Sequence, residues 1–228
     1  MRSGHGTNDH LPATDEPVAT GDGCMCHNGA SPWVAALPSD AQVARPALKV
    51  DTDLLLRLGK ELLYAIGEDP DREGLRDTPR RWASWWREFI EYDAGALDTH
   101  FAAVEQGQMV TVSGMRVWSL CEHHLLPFWC DVTIGYIPDG QVLGLSKFAR
   151  IAHKHAHRLQ VQERLVSGIA DEVQALAQTP HVAVLATGEH LCMTMRGIKT
   201  PALMTSTAQR GTFQEDAVFD RFLRLAGR

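Results

Sequence analysis

The hydrophobic positions in the first patterned part of the chain repeat at helical spacing and predict a helical pair over about residues 50–95. Asp51 or Thr52 can cap the first helix. Thr78, a hydroxyl cap, and Pro79 begin the second. The aromatic face of the second helix is expected to lie in the core or at a subunit interface. The repeating residues are Leu54, Leu55, Leu58, Leu62 and Ile66 in the first helix and Trp82, Trp85, Trp86, Phe89 and Ile90 in the second.

Beyond residue 108 the hydrophobic period shortens to the alternation of strands, with helical stretches between them. The first strand, over about 109–117, is interrupted at Ser113 and Gly114, and a polar link leads to the next strand. The elements together predict an α+β fold with a core over about 105–228. Further strands are expected over 128–137, 181–187 and 191–195, the last two joined by a turn at Gly188 and Glu189, and helices over about 146–157, 159–178 and 215–225.

Residues 1–46 show neither period, and they are rich in Gly, Pro, Ala, Asp and Thr. This composition predicts a disordered N-terminal extension, which leaves 47–228 as the folded domain. Cys24, Cys26 and His27 within the extension have the side chains of a metal site, but nothing around them would form a fixed cage. A flexible tail is therefore the favoured interpretation.

The net charge and the cysteine count argue against several classes of protein for this chain. At −6 the chain does not bind nucleic acid or a membrane surface through overall charge, so a phosphate-bearing substrate would need a local basic cluster. No apolar run reaches the roughly 20 residues that span a bilayer. Five cysteines, an odd number without a regular framework, argue against a disulfide scaffold and suit a reducing cytoplasm.

Cys121 and His124 lie three residues apart in the link between two strands, a spacing at which one turn can present a thiolate and an imidazole to one metal ion. With Cys192 far downstream they make a donor set that zinc prefers. Three protein ligands leave the fourth position of a catalytic zinc to water, whose pKa the metal lowers toward neutrality. Two alternatives stay open: a site without metal, and a structural zinc whose fourth ligand is one of His123, His190 and Cys130.

A strand over 191–195 would place alternate residues on one face, among them His190, Cys192 and Arg196. A thiol, an imidazole and a guanidinium aimed at the same space suit a pocket better than a core, since an unpaired buried Arg196 would cost several kcal/mol. His190, and His123 beside the first ligand pair, titrate near neutral pH and are suited to moving protons for a bound water.

Other charged residues suit a nucleotide. The carboxylate of Glu163 could accept hydrogen bonds from the adjacent N1–H and 2-amino groups of a guanine or pterin edge. Ser146 is a plausible N-cap, and a helix N-terminus attracts anions. Lys147, Arg150 and Arg196 could then hold phosphates. Taken singly, each charged residue is more simply explained as part of a solvated surface.

Four ordered blocks of the sequence resemble GTP cyclohydrolase I, and the similarity runs from about residue 50 to the C-terminus. The resemblance implies a tunnelling fold, an antiparallel β-sheet packed with helices and preceded by a helical pair. It also implies a homodecamer of two face-to-face pentamers with active sites at subunit interfaces. The blocks are Cys-Glu-His-His at 121–124, Gly-Leu-Ser-Lys at 144–147, Gln-Val-Gln-Glu-Arg-Leu at 160–165 and His-x-Cys-Met-x-x-Arg-Gly at 190–197.

The implied reaction converts GTP and water to formate and 7,8-dihydroneopterin triphosphate, the first step of tetrahydrofolate and pterin biosynthesis. Water adds to C8 of GTP, C8 leaves as formate, and the opened, rearranged ribose closes onto the freed amine. By position, the resemblance implies Cys121, His124 and Cys192 as ligands of Zn²⁺, His123 and His190 as acid/base catalysts, Glu163 with Gln162 on the guanine, and Ser146, Lys147, Arg150 and Arg196 on the triphosphate.

Two other functions stay open. Another tunnelling-fold enzyme of pterin or deazapurine metabolism would use a three-histidine zinc site or a lone cysteine nucleophile, whereas this chain has a Cys, His and Cys set with intact flanking blocks. The second alternative is a non-catalytic binding module stabilised by a closed, four-ligand zinc. The products distinguish the first alternative from the implied reaction, which would give formate and a fluorescent oxidised neopterin from GTP. X-ray absorption that shows no water on the metal would favour the second alternative.

Overall fold

A five-stranded sheet carries the segments on which the candidate site depends. The computed structural model describes residues 48–103, 105 and 107–227, so the predicted extension over 1–46 lies outside the described residues, with its Cys24, Cys26 and His27. The helices are α1 (Thr52–Ala65), α2 (Thr78–Ile90), α3 (Leu145–Ala156), α4 (Gln162–Ala177), α5 (Leu191–Thr194) and α6 (Asp216–Leu225), with a 3-10 turn at Gly211–Gln214. The strands are β1 (His100–Ala102), β2 (Val110–Cys121), β3 (Pro127–Tyr136), β4 (Gln141–Leu143), β5 (Leu159–Gln160), β6 (Val182–His190) and β7 (Leu203–Arg210).

The main sheet has the strand order β5-β2-β3-β6-β7, and it is antiparallel except for the short pairing of β5 with β2. β3 lies between β2 and β6, and its first residues pair with the last residues of both neighbours. The carboxyl ends of β2 and β6 therefore meet at one edge of the sheet. β2 is irregular between Val112 and Met115, where the sequence predicted an interruption. The predicted mixed α+β architecture is confirmed.

Helices cover both faces of this sheet. β6 is buried on both sides from Val182 to Gly188, which explains its continuous apolar sequence. Its even-numbered residues join the core formed with α3 and α4, and its odd-numbered residues join Phe213 and Phe222 of the C-terminal segment. A glycine at position 135 leaves room for that packing, because a Cβ there would lie 2.5 Å from the ring of Phe222.

The predictions of a strand over 191–195 and of a turn at Gly188 and Glu189 are wrong. β6 continues to His190, and the chain then enters the short helix α5. Gly188 serves close packing, since a Cβ there would lie 1.9 Å from the carbonyl oxygen of Trp129 and 2.8 Å from Sγ of Cys130. A helix of only four residues is too short to show a period in the sequence.

Two helix starts also differ from the prediction. The helix expected from Ser146 has Gly144 as its N-cap residue. The helix expected from residue 159 begins at Gln162, because 159–160 form β5 beside the end of β2. This shift puts Glu163 in the first turn of α4.

Both predicted N-terminal helices are present. Asp51 caps α1 by accepting a hydrogen bond from the Leu54 N–H at 2.8 Å, as the sequence indicated. Gly59 of α1 allows close approach to α2, where a Cβ would lie 3.2 Å from Cα of Pro79. In the described part of the chain, none of the helices has the length and apolarity that a bilayer crossing requires. Apolar side chains that are exposed in the single chain are Leu54, Leu56, Leu58 and Leu62 of α1 and Ile66, its C-cap residue.

The end of α2 packs on α3 through a cluster of aromatic and histidine rings. Tyr92 stacks on His157 with ring centroids 4.1 Å apart, and the ring of His153 lies 5.7 Å from that of His157. Burial, and then the neighbouring His157, lower the pKa of His153. The cluster therefore favours the neutral form of His153.

We expect the stability of the fold to decrease as the pH falls below about 6.5, the pKa of an unperturbed histidine. The folded pKa of His153 is lowered, so the unfolded chain takes up the proton first, and protonation favours unfolding. Urea titrations across about pH 5 to 8 measure this slope in the free energy of unfolding. His153→Gln should flatten the slope and the control Arg57→Gln should not; equal slopes in His153→Gln and the unsubstituted protein would contradict the prediction.

Candidate metal centre and nucleotide pocket

A tight turn after β2 brings Cys121 and His124 together. The Cys121 N–H donates to the carbonyl oxygen of Leu126 at 2.8 Å. The N–H groups of His124 and Leu125 donate back to the Cys121 carbonyl oxygen at 3.3 and 2.9 Å. Leu125 adopts φ +55°, a left-handed conformation that closes the turn. As a result, Sγ of Cys121 lies 3.6 Å from Nδ1 of His124.

An ion pair ties the same turn to α4. Arg164 donates to both carboxylate oxygens of Glu122, at 2.6 and 3.2 Å, and the Glu122 N–H donates to the Gln160 carbonyl oxygen at 3.1 Å. No role for Arg164 was predicted from the sequence. Its only signal is the position beside Glu163 in the 160–165 block, and no local pattern predicts a partner 42 residues away.

Cys192, in α5, meets the turn at the sheet edge. The ligand atoms of Cys121, His124 and Cys192 all lie within 4.8 Å of one another, and among the described residues these three form the group that could hold a metal ion. Two sulfurs and an imidazole nitrogen are the donors that zinc favours, so the residues fit the ion that the sequence predicted. The reason given for Cys192 was nevertheless wrong, because α5 and not strand alternation brings it here.

The ionisation of the Cys192 thiol depends on its surroundings. Burial raises the pKa of Cys192, and the neighbouring Cys121 raises it further. Two adjacent thiols in a partly buried site resist carrying two negative charges. A bound cation reverses that effect, because coordination deprotonates a thiol outright.

The two predicted catalytic histidines have different environments. His123 is exposed, with Nδ1 3.8 Å from Sγ of Cys121. His190, the last residue of β6, stacks on Phe128 with ring centroids 4.4 Å apart and planes 5° from parallel. Burial lowers the pKa of His190, and the nearby Glu163 partly offsets this shift. His190 is thus an oriented imidazole at the sheet edge that also carries the metal group.

Gln162 is fully buried beneath His190. Its Nε2 donates to the carbonyl oxygens of Ala186 and Met204 at 3.0 and 3.1 Å. Its Oε1 lies 2.9 Å from Nε2 of His190 and 3.3 Å from Sγ of Cys130. The predicted side-chain contact between Gln162 and guanine stays a prediction. Two alternatives for a fourth metal ligand, His190 and Cys130, instead bond to Gln162.

The predicted triphosphate contacts lie on α3 and after α5. Lys147 is buried, and its Nζ donates to the Ala96 carbonyl oxygen at 2.6 Å. Arg150 donates from Nη1 to the Ala94 carbonyl oxygen, also at 2.6 Å. Contacts of these two residues with phosphate stay predictions. The remaining predicted substrate contacts, all exposed, are Ser146, Glu163 and Arg196.

The chain is similar to known proteins over most of its length. Residues 57–226 match the family model of GTP cyclohydrolase I. A GTP cyclohydrolase 1 of Hyperthermus butylicus is 45% identical over 170 residues, which cover 74% of this chain and 87% of the relative. One of Deinococcus radiodurans is 47% identical, covering 70% of this chain and 76% of the relative. One of Aquifex aeolicus is 42% identical, covering 78% and 98%.

Proposed function

This chain belongs to the GTP cyclohydrolase I family, and from that premise we propose that it converts GTP and water to 7,8-dihydroneopterin triphosphate and formate. Its family and relatives are hydrolases, so the chain is an enzyme. The observation that carries the proposal is the meeting of Cys121, His124 and Cys192 within 4.8 Å, although 68 residues separate the last two in sequence (192 − 124).

The metal group has the donors of a hydrolytic zinc site, and we infer that Cys121, His124 and Cys192 hold Zn²⁺. When bound with three protein ligands, zinc lowers the pKa of a water molecule toward neutrality and so supplies a nucleophile at pH 7. The three-residue composition of the group supports an open, catalytic site over a closed, structural one.

The chain's own residues then bind GTP and move protons. Glu163 accepts hydrogen bonds from the guanine edge, and His190 or His123 delivers a proton to N7 as water adds to C8. A second hydrolytic step releases C8 as formate. The ribose opens, rearranges and closes onto the freed amine with loss of one water, which forms the dihydropterin ring and leaves one water consumed overall. The cations that hold the triphosphate are Lys147, Arg150 and Arg196, with Ser146 beside them.

We further propose that the enzyme works as a homodecamer with active sites at subunit interfaces. The apolar face of α1 supports assembly, because its exposed leucines, such as Leu58 and Leu62, would be buried by a second copy. Cys121, Cys130 and Cys192 are free thiols, which suits a reducing cytoplasm. The product would enter tetrahydrofolate or pterin biosynthesis.

Incubation of the purified protein with GTP, with and without a metal chelator, tests the proposal. We expect equimolar formate and dihydropterin absorbance, no product after chelation, and recovery when Zn²⁺ is added back. Oxidation of the product should give fluorescent neopterin. Consumption of GTP without formate would favour another enzyme of pterin or deazapurine metabolism, and an inert protein whose zinc has four protein ligands by X-ray absorption would favour a binding module.

A further inference from the structure

We propose that Gln162 of α4 and Cys130 of β3 are positioning residues that fix the orientation of the His190 ring, with Nε2 as its protonated nitrogen. This inference rests on the proposed function, since it gives the two residues a part in the same reaction. It assigns Cys130 a role beyond that of a small buried side chain, and it gives Gln162 a role other than contact with guanine.

The orientation of the Gln162 amide follows from its partners. Carbonyl oxygens only accept hydrogen bonds, so the group that faces Ala186 and Met204 must be the NH₂ group of Gln162. Both N–H donors are then used, at 3.0 and 3.1 Å. The oxygen Oε1 must therefore face His190 and Cys130, and it has two lone pairs with which to accept from them.

This orientation determines where two protons lie. An amide oxygen cannot donate, so Nε2 of His190 must carry the hydrogen in the 2.9 Å bond to Oε1. In the neutral ring, Nδ1 then carries the lone pair. Sγ of Cys130 likewise donates to the same oxygen at 3.3 Å. Burial, and then Asp131, raise the pKa of Cys130 to about 12, so its thiol keeps the proton that this bond needs.

The surroundings allow the ring little alternative. Phe128 lies parallel to the imidazole, and Gln162 is fully buried between β6 and β7. Cys130 fits beneath the amide only because position 188 is glycine, where a Cβ would come within 2.8 Å of Sγ. The thiol of Cys130 thus fills the second acceptor position of Oε1, which would otherwise be a buried polar atom with one bond fewer.

Two substitutions of Cys130 distinguish the effect of its hydrogen bond to Gln162 from the effect of its packing. Cys130→Ala removes the S–H donor, and Cys130→Ser keeps a donor in a smaller side chain. Val132→Ala is the matched control, because Val132 is fully buried and two residues further along β3, on the same face. All three variants truncate the core, so thermal unfolding of each one shows that it is folded before its activity is compared.

We expect Cys130→Ala to lower kcat by roughly three- to tenfold, the factor that one hydrogen bond represents, with KM for GTP nearly unchanged. Cys130→Ser should recover at least half of the loss, and Val132→Ala should leave kcat unchanged. Solid-state ¹⁵N NMR of histidine-labelled protein gives a second readout. The His190 signals, assigned by their loss in His190→Asn, should show a protonated Nε2 in the neutral ring, and Cys130→Ala should mix the two tautomers.

A neutral His190 with its proton on Nδ1 in the unsubstituted protein would overturn the proposal. So would a folded Cys130→Ala protein whose kcat and His190 signals match those of the unsubstituted protein. If the unsubstituted protein released no formate from GTP, the proposed function would fail, and the histidine signals would still decide whether Gln162 and Cys130 fix the ring.

Discussion

Cys192→Ala is expected to remove the metal from the protein and to abolish formate release from GTP in the same step. The substitution takes away one of three ligands whose donor atoms lie within 4.8 Å of one another. Loss of metal-assisted water activation corresponds to several kcal/mol of transition-state stabilisation, or at least about 10³-fold in rate. Metal content by atomic emission and formate by enzymatic assay measure the two effects on one sample.

The neighbouring Met193→Ala provides the control for this loss. Met193 is exposed on the same short helix and is not among the three ligands, so its variant should keep both metal and activity. Cys121→Ala should behave like Cys192→Ala, and the double variant should lose little more, because the three ligands act as a unit. A metal-free Cys192→Ala protein with full activity would remove the central claim.

His190→Asn is expected to lower kcat by about 10²- to 10⁴-fold, the usual contribution of a general acid or base, while the metal content stays unchanged. The imidazole bonds to Gln162 and is not one of the three ligands, so its removal spares them. Steady-state kinetics with GTP and metal analysis of the same preparation measure the two parts of the prediction.

His181→Asn is a suitable control, because His181 immediately precedes β6 at the end opposite His190 and bonds to the Thr212 N–H at 3.1 Å. We expect that variant to retain kcat within about twofold, since the substitution lies outside the site. Unchanged kcat in a folded His190→Asn protein would exclude His190 as the main proton donor. His123→Asn would then address the other candidate.

The sequence predicted those parts of the fold that depend on local pattern. The Asp51 cap, the interruption of β2 and the C-terminal helix are each determined within a few residues, and the structure contains all three. The spacing of Cys121 and His124 was likewise sufficient to predict that the two side chains lie together, because one turn contains both.

Contacts that depend on strand order could not be predicted in this way. Cys192 meets Cys121 because β3 pairs with both β2 and β6 and aligns their carboxyl ends. Gly188 indicated a turn in the sequence, whereas its function is to let Cys130 and the backbone of β3 approach β6. The periodicity of the sequence likewise does not show that Gln162 is buried or that both of its side-chain N–H groups donate to backbone carbonyl oxygens.

The two cations at the start of α3 have an energetic consequence for substrate binding. Lys147 and Arg150 now donate to the carbonyl oxygens of Ala96 and Ala94, both at 2.6 Å. If either side chain turns to a phosphate, it gives up a hydrogen bond made by a charged group, worth roughly 1.5–3 kcal/mol. Under the proposed function, the chain between α2 and β1 would compete with the triphosphate for the same donors, and the affinity for GTP would be the difference between the two interactions.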